Sequence, residues 1–458
     1  MPWNLDDTIV AIATPPGEGG IGIIRLSGPE APHLIRRLFV PGRRQGADGG
    51  WVPWRLTYGH VIEPTSGRVV DEALAVWMPA PRTYTRQDVA ELHCHGGHLP
   101  LRRVLELCLA AGARLAEPGE FTLRAFLNGR IDLAQAEAVV DVVRARSRAG
   151  LQVAVGQLQG HLSTALRETR ELLLEALAHL EAAIDFPHDE IPPCDLPAVL
   201  GRAAAQVDRM LAGAEQGIAY RQGIRTAIVG RPNVGKSSLL NALLRAERAI
   251  VTPVPGTTRD TVEETAVVGG VPLVLVDTAG ITETTDPVER LGVERSQRAL
   301  AAADLALLVV DASEPLTTQD HSIAALLAEQ TAIVVANKTD LPPVPGVEAL
   351  LPGRPLVRVS ALTGSGLADL ERMILETVLG SRLQPDETPL VSRPRHVAAL
   401  RRACEHVRAA LEAHNEGWPD DCVAVDVTAA ISALGEITGD TLSDDLLARI
   451  FSDFCIGK

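Results

Sequence analysis

The alternation of hydrophobic and polar positions divides the chain into stretches of different texture. Residues 1 to about 120 carry short β-rich runs, such as IGIIRL and EALAVWM, separated by proline and glycine turns. This pattern predicts an α+β domain. From Gly119 to Phe186 there is no proline, and leucine and alanine recur at helical spacing. Long amphipathic helices are predicted there, and the same texture continues over 198–220.

Between about 223 and 380 the pattern changes to strand, glycine turn and helix in repetition. The apolar, β-branched runs are RTAIVG, PLVLVDT, LALLVVD, AIVVAN and LVRVS. Such runs are typical of buried parallel strands, so we predict a doubly wound sheet with binding loops at the carboxyl ends of its strands. Helical spacing returns after 390. Two helical blocks thus flank the α/β unit, which predicts one discontinuous all-α domain with the α/β domain inserted into it.

The predicted domains follow from these changes of texture. They are an N-terminal α+β domain at 1–120, the first part of the helical domain at 121–222, the inserted α/β domain at 223–380, and the second helical part at 381–458.

Composition narrows the class of protein. The chain is 46% hydrophobic and 22% charged, and no window of about 18 apolar residues predicts a membrane span. Its first residues are acidic where a signal peptide is basic, and its six cysteines form no CxxC pair. We therefore expect a cytoplasmic protein with reduced thiols and no membrane partner. The net charge of -15 restricts nucleic-acid binding to a local basic patch or to a second protein.

Lysine is almost absent from the chain. Only Lys236, Lys338 and Lys458 occur among 43 basic residues, so arginine has replaced lysine nearly everywhere. These three positions are candidates for sites where a compact ammonium functions and a planar guanidinium does not.

A phosphate-binding loop is the strongest motif. Residues 230–237, GRPNVGKS, follow one apolar run and precede the helical run SLLNALL. This is GxxxxGK[ST] in strand–loop–helix context, where backbone N–H groups and a helix N-terminus hold phosphates. We expect Lys236 to reach the β- and γ-phosphate oxygens and Ser237 to ligate Mg²⁺. Asp277 at the end of a strand and Thr258 are further candidates at the Mg²⁺, and Gly280 at the γ-phosphate.

A second group of motifs selects the base. In NKTD, the Asp340 carboxylate accepts from the guanine N1–H and exocyclic amine, a donor pair that adenine lacks, and 360–362 completes the pocket. GTP is therefore the predicted nucleotide. The predicted GTP-binding residues are Asn233, Val234, Gly235, Lys236, Ser237, Ser238, Thr252, Pro253, Val254, Pro255, Gly256, Thr257, Thr258, Asp277, Thr278, Ala279, Gly280, Asn337, Lys338, Asp340, Ser360, Ala361 and Leu362.

Hydrolysis needs a group that orients the attacking water, and this chain lacks the glutamine that Ras-like enzymes use for it. Ile281 follows DTAG where such an enzyme carries a water-orienting glutamine, and an isoleucine cannot orient water. Glu289 is the candidate water-positioning base, and its alternative interpretation is a solvated acid at a helix start. Asn233 and the oxygen-rich stretch 252–257 are candidates for a monovalent-cation pocket in place of an arginine finger.

These residues carry a family resemblance. The phosphate-binding loop with Asn233, the GTTRD loop, the stretch from DTAG to VERLG and the terminal FCIGK resemble the MnmE/TrmE tRNA-modification GTPases, of the TrmE-Era-EngA-YihA-Septin-like group. The likeness extends over the whole chain, and GEITGDTLSDDLLARIFSDFCIGK is its most specific part.

The resemblance implies a GTPase that is stimulated by potassium and uses Mg²⁺. It also implies a homodimer in which the N-terminal domain binds folate. With MnmG/GidA, a partner that uses FAD and NADH, it would form a heterotetramer and add a carboxymethylaminomethyl-type group to C5 of the wobble uridine of certain tRNAs. The implied one-carbon donor is 5-formyl- or methylene-tetrahydrofolate, and tRNA contact is expected mainly through the partner.

The resemblance also implies residue roles. Glu289 is the catalytic residue; Ser237 and Thr258 ligate Mg²⁺; Asn233, Thr252, Val254 and Thr257 ligate K⁺; and Arg25, Glu91, Arg130 and Lys458 bind folate. Arg130 departs from the family, which commonly has lysine there, but arginine serves equally well if the position supplies charge to the glutamyl carboxylates of folate.

Alternatives remain open at this stage. An Era/Der-like ribosome-assembly GTPase shares the nucleotide motifs, but an appended RNA-binding fold is expected there and none is evident. A folate-dependent transferase with a regulatory GTPase domain is a further reading. Cys455 is either a group of the modification chemistry or a small buried residue that packs a C-terminal helix. The cluster at 93–98, HCHGGH, suggests zinc, but no distant ligand pair accompanies it.

Overall fold

The computed structural model describes residues 5–42, 51–186, 188, 192, 194–246, 264–276, 300–380, 391–441 and 444–457. They form two compact units. The N-terminal unit contains the described residues up to Val140 and those from Gly435 onward, and the central unit contains the described residues between 141 and 434. Among the described helices, none combines the length and the apolar character that a membrane span requires.

A mixed sheet with helices forms the first part of the chain. Its elements are β1 (Ile9–Ile12), β2 (Gly19–Ser27), α1 (Ala31–Leu38), β3 (Phe39–Pro41), β4 (Thr57–Ile62), β5 (Val69–Met78), β6 (Val89–Gly96), α2 (His98–Ala110), β7 (Arg114–Leu115), α3 (Glu120–Leu127) and α4 (Leu133–Arg144).

The strand order in this sheet is β3-β4-β5-β6-β2-β1-β7. All neighbours are antiparallel except β1 and β7. Because side chains alternate along a strand, Ile24, Leu26 and Leu92 enter the core while Arg25 and Glu91 lie on the opposite face. The register pairs Arg25 with Glu91 directly across β2 and β6. The predicted α+β domain is confirmed.

The remaining elements are helical, then α/β, then helical again. In chain order they are α5 (Arg148–Leu158), α6 (His161–Asp185), α7 (Leu196–Leu211), α8 (Ala214–Gln222), β8 (Ile224–Val229), α9 (Lys236–Ala246), β9 (Glu264–Val268), β10 (Val271–Val276), β11 (Leu305–Asp311), α10 (Thr318–Leu326), β12 (Ala332–Asn337), a 3-10 turn (Val347–Ala349), β13 (Leu356–Arg358), α11 (Leu367–Leu379), α12 (Pro394–Asn415), α13 (Asp420–Thr438) and α14 (Asp444–Ser452).

The helical blocks on either side of the α/β segment pack together, as predicted. Helix α12 lies along α7, where the Arg408 guanidinium is 2.9 Å from both oxygens of Asp208. Asp141, 7% exposed, accepts from Arg221 at 2.8 Å and from Arg393 at 2.9 Å. Arg221 lies in the last turn of α8, shortly before β8, and Arg393 is the residue before α12, so this carboxylate joins the two connections through which the α/β segment is inserted.

The second sheet differs from the prediction at one edge. Its order is β13-β12-β11-β8-β10-β9, and neighbours from β13 to β10 are parallel, as expected of a doubly wound sheet. Strand β9 was not predicted and pairs antiparallel with β10. Gly269 and Gly270 both have positive φ, of 54° and 83°, between the paired residues Val268 and Val271. Two such glycines between β-branched residues are the sequence signal of a tight hairpin.

Candidate functional site

The predicted phosphate-binding loop connects β8 to α9. A Cβ on Gly230 would lie 2.3 Å from the Val309 carbonyl oxygen, and one on Gly235 would lie 2.2 Å from the Asn337 side-chain nitrogen. Both glycines also have positive φ, so no other residue fits. Asn233 adopts a left-handed conformation with φ of 66°, which asparagine tolerates better than most residues.

The loop's functional side chains lie around the start of α9. Lys236 Nζ donates to the main-chain oxygens of Gly230 at 2.7 Å and Arg231 at 2.8 Å, so its ammonium lies over the loop. Ser237 and Ser238 follow in the first turn of α9, and both are exposed. The strand–loop–helix context predicted from the sequence is thus confirmed.

Asn337 joins this loop to the base-recognition loops. It ends β12 and is 2% exposed. Its Nδ2 donates to the Val234 carbonyl at 2.9 Å, and its Oδ1 accepts from the Ala361 backbone N–H at 3.0 Å. One side chain therefore fixes the predicted phosphate-binding and base-binding segments relative to each other.

Asp340 and Lys338, both in the NKTD loop, make different contacts. Ser360 Oγ donates to Asp340 Oδ1 at 2.6 Å, which orients an otherwise exposed carboxylate. Lys338 has φ of 64°, and its ammonium lies 2.6 Å from Asp311 Oδ2. Burial alone would raise the pKa of the Asp311 carboxyl, but hydrogen bonds from Lys338 and Ser313 hold that pKa below its ordinary value. Lys338 therefore supports the loop by an internal ion pair.

Part of the predicted nucleotide site and one predicted folate residue lie outside the described residues. These positions are 252–258, 277–280, 289 and 458, and they include the predicted Mg²⁺ ligand Thr258, the K⁺ ligands Thr252, Val254 and Thr257, the catalytic Glu289 and the folate ligand Lys458. The described positions Asn233, Lys236, Asn337, Asp340 and Ser360 belong to the central unit.

A cavity of about 440 Å³ lies in the N-terminal unit. Apolar and aromatic side chains form part of its wall, and four arginines and one acid supply charge. The lining residues are Arg25, Trp54, Met78, Pro81, Arg82, Thr83, Tyr84, Arg86, Val89, Glu91 and Arg130. Three of the four predicted folate residues, far apart in sequence, therefore line a single cavity.

Glu91 is held by two partners. Arg25 Nε donates to its Oε1 at 2.8 Å, and His93 Nε2 lies 3.0 Å from its Oε2. Burial alone would raise the pKa of the Glu91 carboxyl, but the hydrogen bond with His93 and the charge of Arg25 hold that pKa below its ordinary value. Glu91 is therefore a fixed, ionised acceptor in the cavity wall.

Arg130 is positioned by an aromatic ring. Its guanidinium carbon lies 4.7 Å from the centre of the Tyr84 ring, and its Nη1 donates to the Tyr84 carbonyl at 3.3 Å. The Tyr84 hydroxyl in turn lies 2.9 Å from Thr122 Oγ1. Burial raises the pKa of Tyr84, so this ring remains neutral beneath the cation.

The C-terminal segment reaches the same wall. Gly457 has φ of 94°, and a Cβ there would lie 2.6 Å from the Ile12 carbonyl oxygen of β1. The Gly457 carbonyl accepts from Arg25 Nη1 at 3.4 Å. Phe451 and Phe454, 1% and 6% exposed, anchor the segment, with ring centres 5.1 Å apart.

The structure bears on two alternatives from the sequence, the burial of Cys455 and the cluster at 93–98. Cys455 is exposed, so its interpretation as a buried packing residue is wrong. On β6, Cys94 enters the core while His93 and His95 lie on the other face, where His93 contacts Glu91 and His95 contacts Asp71 at 2.6 Å. Burial raises the pKa of the Cys94 thiol to about 12.

Sequence reasoning missed several residues of these sites. Tyr84, Arg82, Arg86 and Trp54 line the cavity, and Asp311 holds Lys338. Asp311 was detectable because it ends the apolar run LALLVVD in the sequence, as Asp277 follows the apolar run PLVLV. The cavity residues lie in irregular segments without periodicity, so no sequence signal identified them.

Two protein-family models match the chain. A model described as "GTP-binding protein TrmE N-terminus" matches residues 8–130, and one described as "MnmE helical domain" matches residues 133–455. The latter match extends over both helical blocks.

Full-length relatives match as well. The "tRNA modification GTPase MnmE" of Chloroflexus aurantiacus is 56% identical over 457 residues, covering 99% of this chain and 100% of that protein. The protein of the same name from Roseiflexus sp. is 53% identical and covers 99% of each. A solved structure of an Aquifex aeolicus Era variant bound to GDP.AlF4- is 31% identical over 40% of this chain and 66% of that chain, with a TM-score of 0.29, too low to weigh on the fold. The chain therefore belongs to the MnmE family of tRNA modification GTPases.

Proposed function

We propose that this chain binds GTP through its 230–238, 337–340 and 360–362 segments and hydrolyses it to drive the modification of tRNA. The observation that carries the nucleotide site is Asn337, whose two amide atoms join the phosphate loop at Val234 to the base loop at Ala361. Asp340, oriented by Ser360, supplies the carboxylate that distinguishes guanine from adenine.

The residues present suit the ions that the family resemblance implies. Ser237 offers a hydroxyl in the first turn of α9, and Asn233 offers an amide oxygen from a left-handed loop position. We propose Ser237 with Thr258 for Mg²⁺, Asn233 with Thr252, Val254 and Thr257 for K⁺, and Glu289 as the group that positions water. When bound, the cations would neutralise charge that develops on the phosphoryl oxygens.

We further propose that the N-terminal cavity binds a tetrahydrofolate one-carbon donor, as 5-formyl- or methylene-tetrahydrofolate. The apolar wall suits a ring system, and Glu91 is an ionised acceptor for ring N–H groups. Arg130 is available for a carboxylate of the folate. Gly457, which precedes Lys458, contacts Arg25 in the cavity wall. Cys455, exposed in this segment, is proposed for the modification chemistry.

The proposed assembly is a homodimer that joins MnmG/GidA in a heterotetramer, with FAD and NADH supplied by that partner. Exposed apolar side chains on the β3–β5 side of the N-terminal sheet support dimerisation; they are Val40, Tyr58 and Val69, each about half exposed. The net charge of -15 supports contact with tRNA mainly through the partner. A cytoplasmic location and the domain bounds 1–120, 121–222, 223–380 and 381–458 belong to the same proposal.

Two experiments test the parts separately. GTP turnover is measured in KCl and in NaCl at equal ionic strength, and faster turnover in KCl is expected; equal rates would refute the cation pocket. Wobble-uridine modification is then reconstituted with the flavoprotein for the wild type and for Cys455→Ser. Loss of modification with intact folate binding supports chemistry at Cys455, and full activity refutes it.

A further inference from the structure

The folate cavity carries more positive charge than a folate with a single glutamate requires. Arg25, Arg82, Arg86 and Arg130 line it, against one acid, Glu91. Glu91 pairs with Arg25 at 2.8 Å. The other three arginines therefore have no acidic partner within the cavity lining. Among the described residues, neither Arg82 nor Arg86 has a carboxylate within ion-pair distance.

Arg86 and Arg130 are brought together by a turn of the main chain. Arg86 Nη1 donates to the Asn128 carbonyl at 2.9 Å, and Asn128 Nδ2 donates to the Thr85 carbonyl at 2.6 Å. Arg130, two residues further on, lies against Tyr84. The 82–86 segment and the 128–130 turn are therefore joined by reciprocal hydrogen bonds, which hold both guanidinium groups beside the same cavity.

The positions of these arginines suggest which part of a ligand they contact. Arg82 and Arg86 are exposed, so they lie at the solvent side of the cavity, whereas Arg25 and Glu91 are mostly buried in the sheet. A folate with one glutamate has two carboxylates, and the proposed function assigns Arg130 to a carboxylate. Each further γ-linked glutamate adds one carboxylate to the chain, in the direction of solvent, and guanidinium forks match carboxylates well.

We propose that Arg82 and Arg86 bind the γ-linked glutamates beyond the first, so that the site selects polyglutamylated over monoglutamyl tetrahydrofolate. This inference rests on the proposed folate site. The selectivity comes from two exposed ion pairs between these arginines and the polyglutamate tail. They strengthen binding of the tail and leave the contacts to the ring system unchanged.

The test compares two ligands, 5-formyltetrahydrofolate and its triglutamyl form, by calorimetric titration of the full chain. About tenfold tighter binding of the triglutamyl form is expected for the wild type in about 0.1 M KCl, from two exposed ion pairs. In about 1 M KCl the Debye length falls to about 3 Å, so the advantage shrinks to about twofold or less.

Variants then assign the effect. In Arg82→Gln/Arg86→Gln the two ligands are expected to bind within about twofold of each other. Arg82→Gln alone should remove part of the advantage, and because Arg82 forms no ion pair with the described part of the chain, this variant remains informative if the double variant does not fold. Arg102→Gln, on the exposed face of α2 and paired with Glu106, is the matched control and keeps the full advantage.

The outcomes distinguish failure of this inference from failure of the proposed folate function. Equal affinities of the two ligands for the wild type, or an undiminished advantage in folded Arg82→Gln/Arg86→Gln, overturns the inference and leaves the folate site standing. Failure of both ligands to bind the wild type overturns the proposed folate function itself.

Discussion

Replacing Gly457 with alanine tests whether the C-terminal segment delivers a folate contact. A Cβ at this position would lie 2.6 Å from the Ile12 carbonyl oxygen and 3.0 Å from the Ala13 Cα. Both atoms are backbone of β1 or its end, so no rotamer change relieves the overlap. The φ of 94° adds strain of about 1–3 kcal/mol for a residue other than glycine.

The hydrogen bonds described for the segment beyond Phe454 are too weak to offset this strain and the steric overlap together. The Gly119 N–H donates to the Cys455 carbonyl at 3.3 Å, and Arg25 donates to the Gly457 carbonyl at 3.4 Å. Long bonds of this kind contribute about 1 kcal/mol or less each. The end of the segment should therefore leave β1, while the buried Phe451 and Phe454 keep α14 in place.

Folate affinity is the quantity that should change. Loss of one charge-assisted contact costs about 1.5–3 kcal/mol, so the Kd for 5-formyltetrahydrofolate is expected to rise by about 10- to 150-fold in Gly457→Ala. Calorimetric titration measures this change, and thermal unfolding should show a shift of only a few degrees because the displacement is local.

Gly112→Ala is the matched control. Gly112 also lies in the N-terminal unit with positive φ, of 115°, but a Cβ there meets nothing within 4 Å. This variant should lose some stability from backbone strain and keep the wild-type folate affinity. Unchanged affinity in Gly457→Ala would refute the delivery of a contact by the C-terminal segment, and so would an equal loss in both variants.

Three further predictions concern charged side chains. Asp340→Asn should shift selectivity from guanine toward xanthine nucleotides, because the carboxylate no longer accepts two N–H groups; competition binding measures this, and unchanged GTP preference would disprove the assignment. Glu289→Ala should keep GTP affinity and slow single-turnover hydrolysis by about a hundredfold, as expected for loss of a positioned base; undiminished turnover would exclude that role. Because the folded-state pKa of Glu91 is lowered, its ionised form stabilises the fold at neutral pH, and this contribution disappears as pH falls from the usual 4.5 through the lowered value. The stability difference between wild type and Glu91→Gln should therefore shrink in acid, and a difference independent of pH from 7 to 3 would contradict the ion pair.

Much of the central unit was predictable because its chemistry is local in sequence. GRPNVGKS lies directly between a strand and a helix of the sequence. Its two glycines are required because a Cβ would overlap a main-chain oxygen at Gly230 and the Asn337 side chain at Gly235. The discontinuous helical domain was predictable as well, since apolar positions at helical spacing recur on both sides of the insertion. The antiparallel β9 was missed although Gly269-Gly270 signals its hairpin, because its sequence ETAVV has only three apolar residues in succession, fewer than the pattern of a buried strand needs.

The amino-acid sequence by itself predicted the type of each domain, the nucleotide loops and, through resemblance, the residues of the proposed folate site. Only the tertiary structure decided that Arg25, Glu91 and Arg130 share one cavity, that His93 and Tyr84 orient two of them, and that the segment ending at Gly457 lies against β1. The physical reason is the distance along the chain. Periodicity reports which face of an element is buried, but the register of β2 against β6 and the path of residues more than 400 positions apart depend on packing that no short window of sequence contains.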